Sequence, residues 1–292
     1  MKWRLLLLPL LGLLTQCGGG GGGPAAGGMH RGRMTQVVNV SAYDPKERQR
    51  EGRGYNENDV SALRANGAAG LIARCGKGGV LDTKCANFLA AADREGMQIG
   101  AYYRLQNHVD AAAQADQFVR RMQAIARGRS WNASSLLLCG DFDANSRLSD
   151  ITRFVDRVHS RTGRYPVIYL ENSEHLKLLL SRADPGTKAK LRQCPYWVAL
   201  YSHETGAGRY FPTAGSPDGL VSHYNVWNDW SLWQYGGVDW EHGRSRPKVY
   251  SHGDFLAAPY FGNLDRPVER NVFNGSPGEL AAFWSRHGIP TR

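Results

Sequence analysis

Short apolar runs rich in β-branched and aromatic residues recur at 37–43, 70–76, 98–105, 135–143, 165–170, 196–202 and 231–236, and each has the length of a strand. Between them, residues 57–66, 83–95, 110–126 and 148–162 space their apolar positions by three and four, which predicts helices with one buried face. Asp82 and Asp110 stand where N-caps are expected. Strand and helix alternating this often implies parallel pairing with right-handed crossovers, hence a barrel or a doubly wound sheet. A nucleotide-binding doubly wound sheet should carry GxGxxG or a P-loop after an early strand. The nearest approach, RCGKGG at 74–79, is neither, so an α/β barrel in a single domain is expected.

In such a barrel the chemistry gathers at the C-terminal ends of the strands. There the run 135–143 ends in Asp141 and Asp143, and strand alternation would point both carboxylates to one side with Phe142 opposite. Two carboxylates in one small space need solvent, a cation or a shared proton. A solvated turn is the plain alternative, since Asp, Asn and Ser cluster after strands generally. Asn39, Arg74, Tyr103 and Tyr201 also fall at strand ends.

The N-terminus has a different pattern. Lys2 and Arg4 precede an apolar run from Leu5 to Leu14, too short for a stable membrane span and laid out like a secretory signal. Residues 1–16 are therefore expected to be a signal peptide, with Cys17 as a lipidation site, 17–35 as a Gly-rich tether and 36–292 as the barrel domain. Such a chain is expected in the cell envelope or secreted, touching a membrane only through a lipid on Cys17. Plain secretion remains the alternative, because Gln16 is not the small residue that lipidation sites prefer. Disulfides among Cys75, Cys85, Cys139 and Cys194 are then permitted, in any of three pairings. No CxxC or histidine-pair spacing points to a metal, and no cofactor is expected.

Thirty-six Lys and Arg against 26 Asp and Glu give a formal net charge of +10, which favours a polyanionic partner. Nucleic acid is not expected, because no zinc-finger, homeodomain or RNP-like motif accompanies the charge. An anionic cell envelope fits it. Long irregular stretches at 206–229 and 237–267, rich in aromatic residues, read as binding walls or lids; their His223, His242 and His252 read as surface residues.

Several segments in order resemble glycoside hydrolase family 25, the lysozymes that cleave the glycan of peptidoglycan. These are VVNVSAY, LDTKCANFLAAADREGMQIGAYYRL, AAAQADQFV, GDFD, YPVIYL, YWVALY, LWQYG and ERNVFNGSPGELAAFW, and the series covers roughly residues 36–284. The resemblance implies an irregular TIM-like β/α barrel with a groove for alternating N-acetylmuramic acid and N-acetylglucosamine. It implies Asp143 as proton donor and Asp141 as the carboxylate that orients the substrate's acetamido group. Tyr102, Tyr103, Tyr169, Trp197, Tyr201, Trp233 and Gln234 occupy family-like strand positions, where aromatic faces suit sugar rings. Alternation must turn some of them outward. Arg74 would bind the muramic lactyl carboxylate or neutralise Asp141.

The chain departs from the family pattern in its acids. Asn39 stands for an aspartate, Asp143 for a glutamate and Glu269-Arg270-Asn271 for a closing DxN, so only Asp141 keeps the family's residue. A coordinated rearrangement, in which the longer Glu269 compensates, and a barrel that binds peptidoglycan with impaired catalysis both fit these substitutions.

Overall fold

Apolar runs that form strands at matched intervals close on themselves. The computed structural model describes residues 34–44, 55–200, 217–239, 248–250 and 268–292. Its strands are β1 (Thr35–Val40), β2 (Gly70–Lys77), the short β3 (Val80–Leu81), β4 (Gln98–Arg104), β5 (Ser135–Phe142), β6 (Val167–Leu170), β7 (Tyr196–Ala199), β8 (Leu232–Asp239), β9 (Lys248–Tyr250), β10 (Glu269–Phe273) and β11 (Ile289–Pro290). The helices are α1 (Glu57–Ala65), α2 (Cys85–Arg94), α3 (Ala111–Arg127), α4 (Leu148–Thr162), α5 (Glu174–Ser181), α6 (Pro185–Leu191), α7 (Asp218–Tyr224) and α8 (Pro277–His287).

From β1 through β2, β4, β5, β6, β7 and β8, neighbouring strands run parallel. The barrel is closed by β10, which lies antiparallel to both β8 and β1. This is the expected irregular α/β barrel in one domain. The antiparallel closing strand was not among the runs read from the pattern, since Glu269, Arg270 and Asn271 break any apolar signal there.

Alternation along each strand sorts the side chains into two cores. Val37, Ile72, Leu137, Cys139, Val167, Leu232 and Phe273 fill the barrel interior. Val38, Leu71, Ala101, Leu138, Ile168, Val198 and Trp233 face the helical shell, where Phe118, Phe154 and Leu176 cover them. Helix α8 adds Leu280 and Trp284 to the interior, and the Trp284 indole N–H donates to the Ile99 carbonyl at 2.7 Å, near the start of β4. That end of the barrel is thus sealed, and only the C-terminal end is available for chemistry.

The predicted helices correspond to α1 through α4. Asp110 caps α3, its carboxylate accepting from the Ala113 N–H at 2.8 Å. Asp82 does not cap α2: the helix starts at Cys85, after Lys84, which makes no side-chain cap bond. Asp82 instead accepts from the backbone N–H groups of Ala42 and Lys84, each at 3.0 Å, and tethers the end of β1 to this loop. The four cysteines among the described residues are buried free thiols. The Cys85 thiol hydrogen-bonds with Cys75, whereas Cys139 lies inside the barrel and Cys194 between barrel and helices.

Beside Asp141, the outward-facing Gly140 leaves room for two rings. A Cβ there would stand 2.8 Å from Phe154 Cε1 and 2.9 Å from Phe142 Cε2, and both rings are fully buried. Gly140→Ala is expected to lower unfolding free energy by about 1–3 kcal/mol, the usual range for overpacking. Urea unfolding followed by tryptophan fluorescence measures it; a midpoint equal to the parent's would show that the rings yield.

Candidate active site

The inward positions at the open end of the barrel form the floor of a cavity of about 650 Å³, to which Asn39, Arg74, Tyr102, Arg104, Asp141, Tyr169, Trp197, Gln234 and Glu269 contribute. Asn39, Tyr102, Arg104, Asp141 and Tyr169 come from the C-terminal parts of parallel strands, Arg74 from the middle of β2, Trp197 and Gln234 from the first halves of β7 and β8, and Glu269 begins β10, where it is paired with Asn39. The tyrosine and tryptophan rings give apolar walls, while amides and carboxyls give directed polar contacts, the composition of a sugar site.

The polar groups form one connected network. Asn39 donates its amide N–H to Glu269 Oε2, and its amide oxygen accepts from Asn271 Nδ2 at 2.8 Å and Gln234 Nε2 at 3.3 Å. Tyr169 donates to Gln234 Oε1 at 2.8 Å, and the Trp197 indole donates to Asn271 Oδ1 at 2.8 Å. An aspartate at position 39 would set a second carboxylate against Glu269. The amide supplies a donor instead, and removes that repulsion. Burial first, and the Glu269 carboxylate second, hold the Tyr102 hydroxyl well above its ordinary pKa, so it remains a hydrogen-bond donor.

Asp141 is only 5% exposed and faces Arg104 across 3.7 Å. Arg104 also reaches Glu171 at 3.8 Å, and the Asp141 carboxylate is the main reason its own proton is held more tightly than usual. A buried carboxylate with a guanidinium beside it can stay ionised while positive charge develops near it.

Asp143 departs from the alternation expectation. Strand β5 ends at Phe142, and Asp143 turns the chain: its Oδ1 accepts from the Asn145 N–H at 3.0 Å and from Ser146 Oγ at 3.4 Å. The turn bonds outcompete continued strand geometry. Asp143 therefore stands beside the cavity rather than in its lining, half-buried, with Oδ1 held and Oδ2 bonded to nothing among the described residues.

Arg74 departs from one of its two expected roles, the neutralising of Asp141. Its Nε and Nη2 both lie 3.2 Å from Asp82 Oδ2, and its guanidinium stacks 4.7 Å from the Tyr43 ring centre, so it neutralises Asp82 and not Asp141. Of the expected wall residues, Tyr102, Tyr169, Trp197 and Gln234 face the cavity. Tyr103 and Trp233 face outward. Tyr103 donates to Gln117 Oε1 at 2.6 Å in the helical shell, and the Trp233 indole donates to the Leu200 carbonyl at 2.6 Å. Each follows an inward residue by one or precedes one by one, so alternation turns it away. Tyr201, Cys17, His242 and His252 lie outside the described residues, while His223 is exposed on α7.

Sequence reasoning passed over Arg104, Lys77 and Glu171. Arg104 is two residues beyond Tyr102 on the same strand, so period-two spacing was the signal that would have found it. Among the described residues no group of three His, Cys, Asp or Glu side chains is placed to hold a metal ion, and no helix is long and apolar enough to cross a membrane.

Comparison with known proteins gives a consistent set of likenesses. The family model described as Glycosyl hydrolases family 25 matches residues 53–243. An N,O-diacetylmuramidase of Arthroderma benhamiae is 22% identical over 246 residues, covering 79% of this chain and 91% of that protein. Among solved structures, a bacterial lysozyme from Streptomyces coelicolor superposes with a TM-score of 0.53 at 20% identity, covering 87% of this chain and 98% of that one. A family 25 glycosyl hydrolase from Bacillus anthracis superposes with a TM-score of 0.54 at 15% identity, covering 90% of this chain and 100% of that one. At these identities the structural likeness speaks for the fold.

Proposed function

The chain belongs to glycosyl hydrolases family 25, and from that premise we propose that it hydrolyses the β-1,4 bond between N-acetylmuramic acid and N-acetylglucosamine in peptidoglycan. The observation that carries this reading is Asp141: a buried carboxylate at the end of β5, beside Arg104, on the floor of an aromatic-walled groove. In the proposed reaction Asp143 protonates the departing glycosidic oxygen. Its Oδ1 is held by the turn, which leaves Oδ2 to carry the proton. The substrate's acetamido oxygen assists at the anomeric carbon, oriented by ionised Asp141, whose negative charge offsets the oxocarbenium character of the transition state. Glu269, bridged to Asn39, supplies the acceptor for an acetamido or hydroxyl N–H or O–H on the far wall, and Tyr102 supplies a donor.

Export fits the same reading. The basic and apolar leader, Cys17 and the Gly-rich stretch after it suit a lipid-tethered envelope protein, and the +10 net charge would hold it against an anionic wall.

A second reading is favoured by two observations: Asn39 brings no charge to the groove, and Asp143 stands outside its lining. Under it the barrel binds glycan without turning it over. The deciding experiment incubates mature protein with purified peptidoglycan, measures new reducing ends and identifies the fragments by mass. Muramic-acid reducing ends support the hydrolase; retention on peptidoglycan with no reducing ends from any wall source excludes it.

A further inference from the structure

Three cationic side chains, Arg74, Lys77 and Arg104, line the groove with three carboxylates, and two of the three cations are paired. Arg74 is committed to Asp82, and Arg104 to Asp141 and Glu171. Lys77, at the end of β2, is the Cα neighbour of Arg104 across the β2–β4 pair and lines the same groove with Gln106 and His108. Among the described residues the Lys77 side chain makes no hydrogen bond and no ion pair. It is solvent-exposed at the groove's edge, beyond its two arginine neighbours, with Asp141 and Asp143 on the other side within electrostatic reach.

From this arrangement we infer that Lys77 is a substrate-recognition residue that binds a free carboxylate carried by the glycan strand. The inference deepens the peptidoglycan reading and rests on it. A neutral sugar would gain little from this ammonium, whereas an anion would meet at the groove's edge a cation that no carboxylate has bonded. Partial burial first, then Arg104 and Arg74, lower the Lys77 pKa, against the opposite pull of Asp141 and Asp143. A bound carboxylate would offset the burial and the two guanidinium charges. Two parts of a wall polymer supply one: the lactyl group of muramic acid on strands without peptide, and the carboxylates of an attached peptide.

The test measures binding of three soluble probes to the full chain: peptide-free glycan strands, the same strands with lactyl carboxylates converted to methylamides, and strands with peptides attached, before and after amidation. The parent is expected to bind one carboxylate form about tenfold more tightly than its amide, a preference that weakens with added salt. Lys77→Gln should bring the ratio close to one, and Lys77→Arg should keep it. Preference for the peptide-free strands assigns the lactyl group as the source; preference confined to peptide-bearing strands assigns the peptide. A ratio unchanged in Lys77→Gln, or no preference in the parent for either source, overturns the inference. Reducing-end release without such a preference would remove this subsite and leave the hydrolase reading standing. Failure of every probe to bind would remove both.

Discussion

Asp141→Asn will lower peptidoglycan turnover by about 10³-fold, roughly 4 kcal/mol of transition-state stabilisation, the scale at which a preorganised charge acts in a water-poor site. The substitution is close to isosteric, so the groove keeps its shape and the loss should appear in kcat far more than in KM. The side chain is buried and Arg104 lies 3.7 Å away, so the variant removes the negative charge and leaves a guanidinium facing the place where positive charge develops. That is worse for the reaction than an empty site. Arg104 keeps Glu171 as a partner, which should limit damage to the fold. Reducing-end kinetics with far-UV circular dichroism as a control measures the effect. Retention of more than a tenth of parental kcat would mean that Asp141 is not at the reacting centre.

Position 143 should respond in both directions. Asp143→Asn removes the proposed proton donor and is expected to cost between about 10² and 10⁴ in rate. Asp143→Glu restores the side-chain length usual in the family, moving the carboxyl on the order of 1 Å toward the groove, and misplacements of that size are worth up to about 10²-fold. The gain has a structural cost. Asp143 Oδ1 accepts from the Asn145 N–H and Ser146 Oγ, and the longer glutamate cannot keep both bonds from the same backbone position. A loss of about 1 kcal/mol in unfolding free energy is expected beside the faster turnover. A protein that only binds glycan would show neither rate change, and its retention on peptidoglycan would be the same in all three forms. A slower Asp143→Glu variant would instead mean that the chain has rearranged its groove around the shorter acid, with Asn39 and Glu269 as part of that adjustment.

The barrel strands were legible because burial on both faces leaves long apolar runs, and helix α3 was legible because Asp110 announces its first turn. The closing strand β10 was not, and the reason lies in its residues. Glu269 faces the groove, Asn271 is buried in the polar network behind it, and Arg270 is wholly buried against Gly236, whose missing side chain makes the space. A strand built from such residues carries no hydrophobic period. Its identity as a strand comes from the two neighbours that pair with it.

The sequence by itself determined the fold class, the strand that carries Asp141 and the family pattern, because these depend on local periodicity and on the order of short motifs along the chain. Only the tertiary structure decided which side chains meet. Strand parity separates Tyr102 from Tyr103 and Trp233 from Gln234, but which parity faces inward is known only once the barrel has closed. Ion pairing is likewise nonlocal: Arg74 goes to Asp82, and Arg104 goes to Asp141. Charges are assigned to partners by distance across strands, and no spacing along the chain encodes that distance.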